Sequence, residues 1–115
     1  MMKTLNKSDK KLARILIDKG LEQEYENSLK KQQYVLEAWK NGQLNNREAY
    51  LKIYDVTRKN DKHISKRYDN LTGTWYLPTV INLFSEGILN TADIKGFHPE
   101  IEAYILQTTS LLKNS

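Results

Sequence analysis

The chain contains no cysteine, so disulfides, thiolate metal sites and thiol chemistry are excluded. It has only 5 glycines and 2 prolines in 115 residues, which leaves little room for a turn-rich sandwich. No apolar run approaches the length of a membrane span. The opening Met1-Met2-Lys3-Thr4-Leu5-Asn6-Lys7 lacks the apolar core of a signal peptide, and a cytoplasmic location is the resulting expectation. Histidine is scarce as well. His63 and His98 stand far apart, and neither has a partner at metal-ligand spacing. There is no glycine-rich phosphate loop and no Glu-x-x-His pair of the kind that holds two metals in a bundle. No acidic residue falls clearly on an apolar face, so no carboxylate offers itself as a general acid or base, although Glu37 beside Leu36 is a position to inspect. The sequence is therefore read as that of a non-enzyme with no cofactor, no metal and no catalytic residue.

What remains is helical periodicity. Hydrophobic residues make up 39% of the chain, enough to close a small core at this length. Residues 1–7 are expected to form a flexible basic N-terminus, and 8–113 a single helical domain. The first periodic segment is Ser8–Lys19, with Leu12, Ala13, Ile15, Leu16 and Ile17 as its stripe and Ser8 as its cap. Gly20 stands where a C-terminal glycine ends a helix, and the reading favours a break there over a continuous helix. Leu21 to Asn41 follows. Its Leu21, Tyr25, Leu29, Gln32, Leu36 and Trp39 recur at steps of four and three, which predicts one buried stripe.

Asn45 to Asn70 is the third segment, with Ile53, Val56, Asn60, Ile64 and Tyr68 inward. A buried Asn60 requires a hydrogen-bond partner. A fourth helix is predicted from Trp75 to Glu86, capped by Thr74, with Pro78 in its first turn. A single helical turn near 91–95 precedes a last helix that opens on Pro99. Short connections favour antiparallel neighbours. The fold class is thus all-α: a small antiparallel bundle of four main helices plus the short one.

One stretch has an echo. Trp39-Lys40-Asn41-Gly42-Gln43-Leu44-Asn45-Asn46-Arg47-Glu48-Ala49 is matched by Phe84-Ser85-Glu86-Gly87-Ile88-Leu89-Asn90-Thr91-Ala92-Asp93-Ile94. In each, an aromatic anchors the last helical turn, Gly takes the left-handed position, Leu packs under the corner, and Asn with the acid starts the next helix. Trp39 and Phe84 are expected to be core anchors.

The net charge of +4 is unevenly spread. Residues 1–20 and 43–70 are basic, while 71–115 is acidic. Arg58, Lys62 and Lys66 share a helical face, with Lys59, His63 and Arg67 alongside. Arg58, Lys59, Lys62, Lys66 and Arg67 are the candidate contacts for nucleic acid or another anion, weighed against a plain solvated face in which Asp55 pairs with Lys59. Seven tyrosines are many for this length, and not all fit the stripes. Tyr34, Tyr50, Tyr54, Trp75 and Tyr76 are the candidate protein-interface residues, because such rings suit half-exposed contact positions. The leading expectation is a small protein–protein interaction module of an accessory, inhibitory or immunity type that self-associates or takes a protein partner. The alternative is a nucleic-acid-associated regulator using the 58–67 face. No membrane partner is expected.

Overall fold

The computed structural model describes residues 4–113. The first part of the expected flexible tail and the last two residues lie outside the described residues. The chain is all-α: α1 (Lys7–Lys40), α2 (Asn46–Tyr68), α3 (Tyr76–Ser85), a one-turn α4 (Thr91–Ile94) and α5 (Pro99–Lys113), with a single 3₁₀ turn over Gly73–Trp75. No strand occurs among the described residues. The four main helices and the short one stand where the periodicity predicts them, apart from two of their starts and one expected break.

That break, at Gly20, is absent, and α1 runs through it. Gly20 is buried and continues the stripe of Ala13, Leu16 and Ile17 at helical spacing. A helical glycine costs about 1 kcal/mol relative to alanine, which is small beside the packing of the stripe it completes. The start of α1 also differs from expectation. Asn6, not Ser8, supplies the cap: its side-chain oxygen accepts from the Asp9 N–H at 2.9 Å and from the Ser8 hydroxyl at 2.9 Å. Leu5, within the segment expected to be flexible, is buried. Thr74 is likewise not the cap of α3. The 3₁₀ turn closes first, with the Trp75 N–H donating to the Thr72 carbonyl, and α3 begins one residue after the expected Trp75.

The chain divides into two compact units. One comprises the residues up to Leu21 together with those from Asn70 onward. Here α3, the most apolar helix, packs on α5. Val80, Leu83, Ile94 and Ile105 are fully enclosed, with Leu16, Leu77, Leu89, Phe97 and Ile101 around them. Polar ties hold the edges. Lys19 pairs with Asp93 at 2.5 Å, and the Arg14 guanidinium lies over the Tyr76 ring while its Nε donates to the Tyr76 hydroxyl. The other unit is Glu22–Asp69, the second half of α1 and all of α2.

Both echoing corners are built alike. Gly42 and Gly87 each take φ of +78°, where an L side chain is strained. In each, the glycine N–H and the two that follow reach back to the ends of the preceding helix, Gln43 and Leu44 to Ala38, Ile88 and Leu89 to Leu83. Capping boxes then open α2 through Asn45 and Glu48, and α4 through Asn90 and Asp93.

Candidate interaction surface

Within Glu22–Asp69, α1 and α2 form an antiparallel hairpin. Side-chain contacts step along it in opposite directions: Trp39 Nε1 donates to Asn46 Oδ1 at 2.7 Å, Gln32 to Thr57 at 2.8 Å, Asn60 to Ser28 at 2.9 Å, and Glu24 meets His63 and Arg67. Polar pairs therefore run along the seam between the helices, beside the half-buried Ile53, Val56 and Ile64. Its buried residues are Ser28, Val35 and Ala49. Asn60 has the partner that its inward position demands, and it also donates to the Val56 carbonyl.

Glu24 is the hub of the open end. Its side chain is only 10% exposed. One carboxylate oxygen lies 2.6 Å from His63 Nε2 and accepts from Arg67 Nη1 at 3.2 Å, and the other accepts from the Tyr68 hydroxyl. Burial by itself would push the carboxyl up. The hydrogen bonds from Tyr68 and His63 and the charge of Arg67 outweigh it and hold Glu24 below the usual carboxylate range. The Tyr68 hydroxyl is pushed well up by burial and by its bond to Glu24. An acid embedded among such partners was not expected from the sequence, and neither was Asp9. Asp9 is buried, accepts from the His98 N–H at 3.1 Å and lies 3.0 Å from His98 Nδ1. The early position of Asp9 in its helix was the one visible signal for it.

A polar seam displaces the apolar residues. The predicted stripe of Tyr25, Leu29, Leu36 and Trp39 is not inside: Leu29 is 64% exposed and the other three more than 40%. At 100° per residue, Tyr25, Leu29 and Leu36 sit about 60–100° round from the seam line of Ser28 and Val35. Tyr50 and Tyr54 sit about 80–120° round from the Ala49–Asn60 line of α2 in the same sense. In an antiparallel pair, equal senses of rotation bring residues to the same side. The bond between Gln32 and Thr57, both displaced that way, agrees. Five large side chains thus share one face of the hairpin, and all are exposed.

The other sequence candidates are dispersed. Tyr34 is exposed on the opposite side of α1, and Glu37 is exposed near it. Trp75 is exposed, while Tyr76 is half-buried under Arg14. The basic candidates divide. Arg67 is inside the Glu24 cluster, so it is not part of an open anion face. Arg58 and Lys59 both pair with Asp55, and Lys62 and Lys66 are exposed on the reverse of α2. Trp39 is a hydrogen-bonded rim residue and not the core anchor that was expected, because the seam it borders is polar and thin.

Elsewhere, an apolar cavity of about 210 Å³ lies between α3 and α5, lined by Leu77, Pro78, Ile81, Tyr104 and Thr108 among others. No group of three metal-ligating side chains exists among the described residues, and no helix there is long and apolar enough to cross a membrane. The chain matches no family model, no curated protein and no solved structure.

Proposed function

We propose that the chain is a protein-interaction module whose contact surface is the hairpin face of Tyr25, Leu29, Leu36, Tyr50 and Tyr54. The observation that carries this reading is a shared exposed face. Glu24, Ser28 and Asn60 are bonded across the seam beside Val35, Ala49 and the half-buried Ile53, Val56 and Ile64, Gln32 and Thr57 are bonded at its edge, and five large apolar side chains face outward on that side. Scattered exposed apolar residues are ordinary, but a contiguous patch with polar flanks marks a contact site. Three of the five residues are tyrosines, which contribute broad contact at low conformational cost.

The nucleic-acid reading has less support. A dedicated anion site wants unpaired cations, and three of its five candidates are engaged within the chain. Salt-sensitive binding to nonspecific duplex DNA, lost on Lys62→Glu with Lys66→Glu, would favour it over the present reading.

A photo-crosslinking amino acid placed in turn at Leu36, Tyr50 and Tyr54 in the native cell tests the interaction reading. Adducts are expected from all three positions, and few from Lys52 or Lys62 on the other surfaces of α2. Equal labelling from face and control positions, or none, would refute it.

A further inference from the structure

The structure points to a second copy of this chain as the occupant of the hairpin face, with two hairpins closing face to face into a four-helix bundle. This inference rests on the interaction reading above and narrows its partner to one.

Three features of the hairpin carry it. The first is how few side chains the seam fully encloses. Ser28, Val35 and Ala49 are its buried residues, Ile53, Val56 and Ile64 beside them are half-buried, and two helices with so few enclosed side chains gain little from packing on each other alone. Helical hairpins that carry an apolar face beside the seam complete a core by pairing, as bundles do.

The second is size. From Glu22 to Lys40 the face is about 28 Å long at 1.5 Å per residue, and two helices make it about 20 Å wide. A projected area of roughly 550 Å², larger once side-chain relief is counted, approaches the roughly 800 Å² per partner of a standard interface.

The third is charge. Glu22 and Asp61 flank the face toward its open end, and Lys40 and Arg47 flank it toward the corner. Glu26 and Arg58, further round, are paired within their own helices with Lys30 and Asp55. A second copy running the opposite way about a two-fold axis lays the acidic end of one face on the basic end of the other. The contact is then self-complementary, as an isologous interface must be. The lysines on the reverse of α2, Lys59, Lys62 and Lys66, stay outside it, so their mutual repulsion does not oppose pairing.

Sedimentation equilibrium of the full chain from low micromolar to several hundred micromolar tests the inference. The expected result is a reversible monomer–dimer equilibrium, twice 13.5 kDa at the upper end. Leu36→Glu and Tyr54→Glu should each weaken the dimer at least roughly thirtyfold, as loss of a contact centre does. Both residues are exposed, so helicity by circular dichroism should not change. Tyr34→Glu, on the other side of α1, should leave the equilibrium where it is. Lys40→Glu should weaken it, and Glu22→Lys added to Lys40→Glu should restore it. A chain monomeric throughout the range overturns the inference, and so does a dimer indifferent to Leu36 and Tyr54. If the chain is monomeric but crosslinks from Tyr54 to a different protein, the interaction reading stands and the second copy falls.

Discussion

Replacing Glu24 with leucine removes the hub of the hairpin's open end while keeping a good helix former. Arg67, whose guanidinium is only 13% exposed, then loses the Glu24 carboxylate, and the Tyr68 hydroxyl loses its acceptor. Breaking one side of a buried ion pair costs about 3–5 kcal/mol. His63 is 44% exposed and adds little. A loss of about 3 kcal/mol is therefore expected, a large share of the 5–15 kcal/mol of a typical domain. Because the chain holds two units, the readout should be local: native-state amide exchange within Glu22–Asp69. Three kcal/mol corresponds to roughly 150-fold faster exchange of its slowest amides. The pH dependence gives a second check. The folded carboxyl of Glu24 lies below the usual carboxylate range, so its contribution is complete above the unfolded value of about 4.3 and is lost as pH falls through the folded value. The difference between wild type and Glu24→Leu should shrink only below about pH 5. A variant whose exchange lies within threefold of wild type at neutral pH would refute the view that this cluster holds the hairpin's open end.

Two smaller predictions concern single atoms. The Thr109 hydroxyl is buried with no hydrogen-bond partner among the described residues, so Thr109→Val, which keeps the shape, should raise stability by about 1 kcal/mol in urea unfolding, and a loss would mean that the hydroxyl has a partner. Gly42→Ala and Gly87→Ala should each cost about 1 kcal/mol, because an added Cβ meets nothing within 4 Å at either site and only the left-handed backbone is penalised; unequal costs in the same assay would show that the two corners are not equivalent.

Local signals in the sequence carried most of the architecture. Asn45 with Glu48 and Asn90 with Asp93 specify their helix starts through hydrogen bonds closed within four residues, so nothing distant can revise them. Gly20 reads as a break because a glycine at the end of a stripe and a glycine within one look the same until the next element packs against it. The stripe of Tyr25, Leu29 and Leu36 reads as buried for a different reason. Apolar periodicity reports which face of a helix gains from being covered, not which face its own chain covers. In this hairpin the covering is decided by Glu24, Ser28 and Gln32, whose partners on α2 lie 25 to 44 residues away. Polar residues at helical spacing look like a solvated flank until those partners are known. The tyrosines at 50 and 54 were legible as interface candidates because they fell outside the α2 stripe, and that stripe was read correctly as the inward one.

The echoing corners place the same local hardware in two settings. At the second corner Leu89 and Ile94 are enclosed, with 2% and 0% of their surface exposed. At the first, Ala49 is buried, but Leu44 is only half-buried and Trp39 is 41% exposed. Backbone geometry, capping and glycine conformation match, so the corner motif itself is not the cause of the difference. The cause is what lies beyond it. Leu89 and Ile94 share their unit's core with α3 and α5, whereas Trp39 and Leu44 close a two-helix hairpin with little apolar interior. A motif that encloses Leu89 at the Gly87 corner and leaves the matching Leu44 half-buried at the Gly42 corner, with Trp39 more open than the half-buried Phe84, has room for cover at the Gly42 corner. That cover would extend the exposed side of Leu36, Tyr50 and Tyr54 up to the corner. Trp39 therefore belongs at the margin of the proposed contact, where its indole is already oriented by the bond to Asn46.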